Sequence, residues 1–242
     1  MKTKVGVAGC NGNMGRRYVA ILKHLGIEYH GWDYADYMPH ELQFNSKLDD
    51  CTHFIIATPS INHIENIRYL ASFDRPILCE KPIALEKKDL LELEVIYEKH
   101  RELKLLMVNN YYYAYRHSGG KNRFHETTSY DYYNTGGDGL ALDCIQLLRY
   151  ANGRIIIKNT SPRWQCEING VKIERASIDD SYIAMINDFI KTSDYYPDKK
   201  NGYKEEKKQI FDCHKLAFKL KHFNSIELPS KKAVPLQEKK KK

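Results

Sequence analysis

Three evenly spaced glycines are the most chemically suggestive feature of this sequence. Gly9, Gly12 and Gly15 follow a short apolar run, Lys4–Ala8, and overlap the start of a helical pattern, Met14–Leu25. Glycines in a strand-to-helix turn let backbone N–H groups approach a phosphate at the positive end of the helix dipole. The spacing is one residue longer than the common pattern G-x-G-x-x-G. The turn indicates a pyrophosphate site, and a glycine turn without a ligand is the alternative.

An acidic residue stands where a dinucleotide-binding protein uses one. Asp33 ends the second predicted strand, 24 residues after Gly9. A carboxylate there hydrogen-bonds the adenosine ribose and repels a 2′-phosphate, which favours NAD. Arg16 and Arg17 complicate the local charge and keep NADP as an alternative. The residues predicted to contact the cofactor in this half of the site are Gly9, Asn11, Gly12, Asn13, Met14 and Asp33.

Two further segments end predicted strands at what should be the same edge of a parallel sheet. Thr58 and Pro59 follow one strand, and Glu80 and Lys81 follow the next. Ligands of open parallel sheets bind outside the carboxyl ends of the strands, so these residues are expected to line the cofactor. Lys81 is the candidate for acid–base chemistry, because exclusion of water and a positive nicotinamide ring disfavour its charged form. Ordinary turns are the alternative for both segments.

His63 and a tyrosine-rich stretch are the candidates for substrate contact. His63 comes one helical turn after Pro59 and is expected to face the site. Tyr111 begins a set of seven tyrosines whose hydroxyls and ring faces suit a sugar ring or a nucleotide-sugar base. Tyrosine is also common in half-buried strands, and a structural role is the interpretation we favour for the set. Its members are Tyr111, Tyr112, Tyr113, Tyr115, Tyr130, Tyr132 and Tyr133.

The elements that must position these residues alternate between short β-rich runs and longer helical patterns. The predicted strands are Lys4–Ala8, Ile27–Trp32, Phe54–Ala57, Pro76–Cys79 and Leu105–Val108. The predicted helices are Met14–Leu25, Asn62–Phe73 and Lys87–Arg101. This alternation predicts an α/β fold, in which helices cover both faces of a parallel sheet.

The pattern changes after about Tyr115. A polar, glycine-rich and tyrosine-rich stretch without a clear period leads to a helical pattern over Leu140–Tyr150. Asn169-Gly170 predicts a hairpin between two later β-like runs, because both positions of a type I′ turn need a positive φ. Those β-like runs are Arg154–Lys158, Pro162–Ile168, Val171–Ala176 and Ser225–Leu228. The C-terminal half is therefore predicted to be α+β, with an antiparallel or mixed sheet.

Two helices are predicted in the last third of the chain. Asp179 and Asp180 are expected at the N-terminus of the first, where acceptors and negative charge are favourable. The second helix is predicted over about Lys204–Phe223.

Composition and charge exclude several classes of protein. The 242 residues are 42% apolar and 29% charged, which is typical of globular proteins and not of disordered or collagen-like chains. No apolar run approaches the ~18 residues of a membrane span, and no secretory signal is evident. We expect a cytoplasmic protein without a membrane partner. Its six cysteines are at least 22 residues apart, which predicts reduced thiols and no metal site.

The positive charge is concentrated at the C-terminus. Lys231–Lys242 hold six lysines and one glutamate, out of a net charge of +7 for the whole chain. A nucleic-acid-binding domain would be basic across a folded face, so no nucleic-acid partner is expected. The tail is interpreted as a solvated, disordered end, with a polyanion-binding arm as the alternative.

Several segments together resemble the glucose-fructose oxidoreductase, inositol dehydrogenase and rhizopine-catabolism (Gfo/Idh/MocA) family. These are VGVAGCNGNMGRRYVA, ATPSINHIENIRYLASFDRPILCEKPIAL, LLMVNNYYY, GGDGLALDCIQLLRYANG, DDSYIAMINDFI and FDCHKLAFKLKHFNSIEL. The resemblance is strongest over residues 1–110 and most specific at Glu80-Lys81-Pro82. It implies a Rossmann domain, a C-terminal α/β domain with an open sheet, and nicotinamide-dependent redox chemistry on a sugar or polyol. Lys81 matches the family's catalytic lysine.

The sequence departs from this family at the expected proton-transfer site. In the family a helix carries an Asp and, four residues later, a His that acts as general acid and base. When the helix is aligned on residues 147–150, these positions hold Gly139 and Asp143. Asp143 is therefore a second catalytic candidate in addition to Lys81. Catalysis through Lys81 alone is the alternative.

These observations predict a domain organisation and a function. Residues 1–115 are expected to form the dinucleotide-binding domain, 116–230 a trimmed domain for substrate binding or oligomerisation, and 231–242 the tail. We expect an NAD-dependent oxidoreductase that transfers a hydride between nicotinamide and a sugar, sugar nucleotide or polyol. The alternatives are a catalytically impaired dinucleotide-binding sensor and a reductase of an imine or conjugated double bond. A homodimer through the C-terminal sheet is a further expectation, because sheets of the family often pair face to face.

Overall fold

A parallel sheet of five strands lies at the centre of the structure. The computed structural model describes residues 2–33, 46–117, 129–134, 154–160, 163–168, 171–173, 175–191, 202–220 and 225–227. The strands of the first sheet are β1 (Lys4–Ala8), β2 (Glu28–Trp32), β3 (His53–Ile56), β4 (Ile77–Cys79) and β5 (Leu105–Met107). Their order is β2-β1-β3-β4-β5, and all neighbours pair in parallel. The predicted α/β fold of the Rossmann type is confirmed.

Helices cover both faces of this sheet. They are α1 (Asn13–His24), α2 (Ser46–Asp49), α3 (His63–Leu70), α4 (Lys87–Lys99), α5 (Asn110–His117), α6 (Arg175–Lys191) and α7 (Gly202–Leu220). Successive strand residues point to opposite faces, so Ile55 packs in one core cluster and Phe54 and Ile56 in the other. Helices α1, α5 and α6 contribute to the cluster of Ile55. Helices α3, α4 and α7 contribute to the second cluster.

The last two helices return to the first sheet from the far end of the chain. Phe189 of α6 is buried in the same cluster as α1, and Ile210 and Phe211 of α7 are buried in the same cluster as α3 and α4. Residues more than 100 positions apart in the sequence therefore form the layers on both sides of the parallel sheet.

A second sheet follows the first along the chain. Its strands are β6 (Ser129–Asn134), β7 (Arg154–Thr160), β8 (Arg163–Ile168), β9 (Val171–Lys172) and β10 (Ser225–Glu227). The order is β10-β6-β7-β8-β9. Strands β6 and β7 pair in parallel, and the other neighbours are antiparallel. The sheet is mixed, as predicted, and Ile168 pairs with Val171 across the two-residue connection of the predicted hairpin.

Some sequence-based predictions differ from the structure, and some described elements were not predicted. Helix α6 begins at Arg175, so Asp179 and Asp180 lie inside the helix and not at its N-terminus. The β-like run that starts at Val171 stops at Lys172, and the next residue, Ile173, is 3% exposed and packs in the core. Helix α5 and strand β6 were not predicted, since their tyrosine-rich sequences lack a clear period. The helix predicted over Leu140–Tyr150 and the C-terminal tail lie outside the described residues.

The described part of the chain contains no helix that is long and apolar enough to span a membrane. Within the same residues, Cys10, Cys51, Cys79 and Cys213 are not joined in disulfide bonds. Burial raises the pKa of Cys51 to about 11, which keeps this thiol protonated.

Candidate functional site

The glycine turn after β1 is held against the ends of two neighbouring strands. Gly9 has a φ of 79°, and a Cβ atom there would lie 2.7 Å from the backbone of Ala57 and Thr58. The backbone N–H groups of Gly9 and Cys10 both donate to the carbonyl of Trp32. Only glycine combines this positive φ with such close contact to a neighbouring strand.

Helix α1 begins directly after this turn with an open N-terminus. Its N-cap residue, Gly12, is extended and offers no side-chain cap, and the first turn holds no acidic residue. Gly15 lets the helix pack onto the turn, since a Cβ atom there would lie 1.9 Å from the carbonyl oxygen of Gly9. The first N–H groups of a helix have no acceptor within the helix, so this end of α1 suits an anion.

Asp33 lies beside the glycine turn, as predicted. Its Oδ2 atom accepts a hydrogen bond from the backbone N–H of Asn11 at 2.8 Å and one from Cys10 Sγ at 3.3 Å. The turn therefore fixes the carboxylate at the end of β2, next to the N-terminus of α1. The structure brings together the acidic residue and the turn, which are the two parts of a dinucleotide site that the sequence indicates.

The position of His63 differs from the expectation. Its side chain is 1% exposed, and its ring nitrogens contact the carbonyl oxygens of Pro82 at 2.7 Å and Thr58 at 2.9 Å. The ring lies inside the protein and connects the ends of β3 and β4. The prediction was that it would face the site. Burial lowers the pKa of His63. Because a neutral ring has one N–H, it donates to only one of the two carbonyls at a time.

Glu80 is anchored to helix α1. Its buried carboxylate accepts hydrogen bonds from the hydroxyl of Tyr18, which is 0% exposed, and from the backbone N–H of Lys81. The ring of Tyr18 packs edge-on against Tyr182 of α6, with 5.9 Å between ring centroids. The acid that the sequence assigns to the cofactor is therefore also part of the packing between β4, α1 and α6.

Lys81 lies at the carboxyl edge of the sheet and is held by residues that follow β5. Its Nζ atom donates to Asn110 Oδ1 at 2.8 Å and lies 5.2 Å from the centroid of the Tyr111 ring. A lysine ammonium carries three N–H donors and no acceptor. Its place at the carboxyl edge of the sheet is where an oxygen of a bound molecule would lie.

Most of the tyrosine set is structural where the structure describes it. Tyr111, Tyr112, Tyr113 and Tyr115 are buried in helix α5, and the hydroxyl of Tyr113 donates to Asp188 of α6 at 3.0 Å. Tyr130, Tyr132 and Tyr133 lie in β6. Tyr111 lies beside Lys81, with 5.2 Å between Nζ and the ring centroid.

Sequence reasoning missed two residues of this region, Asn110 and Tyr18. Asn110 belongs to an Asn pair that begins two residues after the end of β5, and a polar residue at that edge is the signal that could have identified it. Tyr18 resembles any apolar helix residue in the sequence, and only the contact with Glu80 reveals its role. Asp143 lies outside the described residues. Among the residues that the structure does describe, no cluster of His, Cys, Asp or Glu could hold a metal ion.

The comparisons with known proteins find similarity in structure and not in sequence. No protein-family model matches the chain, and no curated protein matches it either. Solved structures do match over almost the whole length. The MviM dehydrogenase from Clostridium difficile is 12% identical, with a TM-score of 0.60 over 91% of this chain and 99% of that chain.

Two further matches carry informative descriptions. A myo-inositol dehydrogenase from Corynebacterium glutamicum is 13% identical, with a TM-score of 0.58 over 95% of this chain and 99% of that chain. The WlbA dehydrogenase from Bordetella pertussis, solved with NADH and UDP-GlcNAcA, is 14% identical, with a TM-score of 0.57 over 95% of this chain and 99% of that chain. The chain therefore has the fold of the Gfo/Idh/MocA-type dehydrogenases that its sequence resembles.

Proposed function

We propose that this protein is an NAD-dependent oxidoreductase that transfers a hydride between nicotinamide and a sugar, sugar nucleotide or polyol. One observation carries the proposal. The open N-terminus of α1, the carboxylate of Asp33 and the ammonium of Lys81 all lie at the carboxyl edge of one parallel sheet. This is the edge at which open α/β sheets bind their ligands.

The residues at one end of this edge fit a dinucleotide. A side chain at Gly9 would clash with the backbone at the end of β3, and the first turn of α1 presents N–H groups without a competing acid. These N–H groups would bind the pyrophosphate, and Asp33 would bind the adenosine ribose. The carboxylate favours NAD, and NADP is the alternative.

Lys81 is the proposed catalytic residue at the other end. When bound there, the nicotinamide ring supplies or accepts the hydride. In the reducing direction a substrate carbonyl oxygen becomes a hydroxyl, and the Nζ atom of Lys81 holds the proton that this oxygen takes. In the oxidising direction the same atom receives the proton. Asn110 orients the ammonium through the 2.8 Å hydrogen bond, and Asp143 stays the candidate for a second proton-transfer group.

The substrate class rests on the structural neighbours. They include a myo-inositol dehydrogenase and an enzyme solved with a sugar nucleotide, which supports a carbohydrate substrate. Tyr111 lies beside Lys81, but its side chain is buried in α5, so its position alone makes it a candidate for substrate contact.

Binding and turnover together test the proposal. Titration with NADH, followed by nicotinamide fluorescence, should show saturable binding. An assay of NAD reduction with a panel of sugars, sugar nucleotides and polyols should then identify at least one substrate. Saturable binding without turnover on this panel or on imines and enones would favour the sensor alternative. Turnover confined to imines or enones would favour a reductase of an imine or conjugated double bond. If the protein bound neither NADH nor NADPH, the proposal would be refuted.

A further inference from the structure

The four residues Lys81–Ala84 are held on two sides by buried histidines. On one side, His63 contacts the carbonyl oxygen of Pro82. On the other side, His214 of helix α7 reaches the backbone N–H groups of Ile83 at 3.1 Å and Ala84 at 3.2 Å. Both N–H groups donate to the same atom, Nε2 of His214. The imidazole thus satisfies two buried donors in the segment that follows Lys81.

The protonation state of His214 fits this task. Its Nδ1 atom lies 2.7 Å from the carbonyl oxygen of Ile210, one turn earlier in α7. A neutral ring with its proton on Nδ1 donates to that carbonyl and leaves the lone pair of Nε2 for the two N–H groups. The residue is 0% exposed, and burial lowers its pKa to about 4, which keeps the ring neutral at ordinary pH.

The contact joins distant parts of the chain. His214 is 130 residues or more from its two partners in the sequence, and helix α7 packs in the same core cluster as Ile83. Upstream of Lys81, strand β4 is fixed by pairing with β3 and β5. Downstream, the segment would lack an acceptor for two buried N–H groups without His214, and buried donors without acceptors are unfavourable.

From this geometry we infer that His214 is a positioning residue, which sets the location of Lys81 by holding the backbone of Ile83 and Ala84. The inference rests on the role proposed for Lys81. It implies that a helix near the C-terminus controls the reactive end of the site without touching cofactor or substrate. It also explains why an ionisable residue occupies a fully buried position in α7.

The chemical reactivity of the Lys81 amine can be used to test the effect of this contact without a known substrate. In the full-length protein, competitive acylation with acetic anhydride and mass spectrometry give the reactivity of Lys81 relative to that of exposed Lys88. We compare His214→Leu with His214→Gln, which has a similar size and can place an amide oxygen at the Nε2 position. Ile21→Val, in the other core cluster, is the control for a general loss of stability.

His214→Leu should raise the relative reactivity of Lys81 about fivefold, since two N–H groups lose the single acceptor that they share, and the loss of about one hydrogen bond of ordinary strength loosens the segment by about that factor. Hydrogen exchange at Ile83 and Ala84 should rise with it. His214→Gln should stay near the wild type in both measurements. If His214→Leu does not fold, His214→Asn replaces it, because the shorter amide reaches only the Nδ1 position.

The inference is overturned if the Leu, or in its place the Asn, variant leaves Lys81 reactivity unchanged, or if Ile21→Val raises it equally. It is also overturned if the Gln variant shows the same rise as the Leu variant. These readouts do not require NADH. A wild type that fails to bind NADH would therefore refute the proposed function and leave the coupling between His214 and Lys81 measurable.

Discussion

The two ends of the proposed site are formed by different kinds of groups, backbone atoms at one end and side chains at the other. The end that would bind ribose and pyrophosphate consists of a glycine turn, the N-terminus of α1 and one carboxylate, and its hydrogen bonds mainly use backbone atoms of residues 9–33. The end around Lys81 depends on side chains from α3, α5 and α7. The first end is a local feature of the sequence, whereas the second exists only when the whole chain is folded.

If this division is correct, substitution of Lys81 should separate catalysis from binding. Lys81→Met keeps the length of the side chain and removes both charge and donor. Turnover should fall by about 10² to 10⁴-fold, the usual contribution of a general acid or base. The Kd for NADH should change only a few-fold, because the other end of the site holds the cofactor. Lys88→Met, at an exposed lysine of α4, is the matched control. Unchanged turnover in Lys81→Met would contradict the role of Lys81.

Acid should destabilise the protein through His214. The pKa of His214 is lowered by burial from its ordinary value of 6.5 to about 4. Between these pH values the unfolded chain binds a proton that the folded chain does not, so stability present above pH 6.5 is lost as the pH falls towards 4. The expected loss from this residue is on the order of 3 kcal/mol.

Urea unfolding at a series of pH values measures this loss. The pKa of His30, His53 and His63 is lowered as well, so some slope should remain when His214 is replaced. The slope in His214→Gln should nevertheless be clearly smaller than in the wild type. Identical slopes in the two proteins would mean that His214 is not the buried neutral group described above.

The glycine turn should be sensitive to a single methyl group. Gly9→Ala places a Cβ atom 2.7 Å from the backbone of β3 and forces alanine into a positive φ, which costs about 1 to 2 kcal/mol for the backbone alone. Both the melting temperature and the NADH affinity should fall. Gly26→Ala separates the two causes, because Gly26 has a φ of 65° and nothing within 4 Å of the added Cβ. The Gly26→Ala variant should lose stability and keep its affinity for NADH. If Gly9→Ala and Gly26→Ala lost NADH affinity equally, the glycine turn would not be the binding site.

Cofactor preference should depend on Asp33. The wild type should bind NADH more tightly than NADPH, since a carboxylate about 4 Å from a phosphate costs about 1 to 4 kcal/mol at surface dielectric values. Asp33→Ser should narrow this difference by about tenfold, within that range. Asp50→Ser, at an exposed carboxylate near the opposite edge of the sheet, should leave it unchanged. Equal affinities in the wild type would exclude Asp33 as the ribose ligand.

The same division explains what the sequence could predict. All five strands of the parallel sheet and the helices α1, α3 and α4 follow from apolar periodicity, with ends within a few residues of the structure. The glycine turn could also be predicted from the sequence. The backbone conformation of Gly9 and the close packing at Gly15 leave glycine as the residue that fits. Asp33 follows from its place at the end of β2.

The environment of Lys81 could not be predicted in this way. Residues 80–84 have hydrogen-bond partners that include Tyr18, His63, Asn110 and His214. A histidine inside an apolar helix pattern carries no local sign of the backbone that it will meet. The expectation that His63 faces the substrate was wrong for a related reason, since helical spacing gives the face of a helix and not the carbonyl groups packed against it.

Differential protection of Lys81 tests the central claim most directly, namely that the dinucleotide binds along this edge with its nicotinamide end at Lys81. Acylation of Lys81 is measured without ligand, with NADH and with ADP-ribose, each ligand at about ten times its Kd. NADH should slow acylation about tenfold, in line with the fraction of sites occupied. ADP-ribose, which lacks the nicotinamide ring, should occupy the glycine turn and leave Lys81 reactive. Equal protection by both ligands, or none by saturating NADH, would contradict the account.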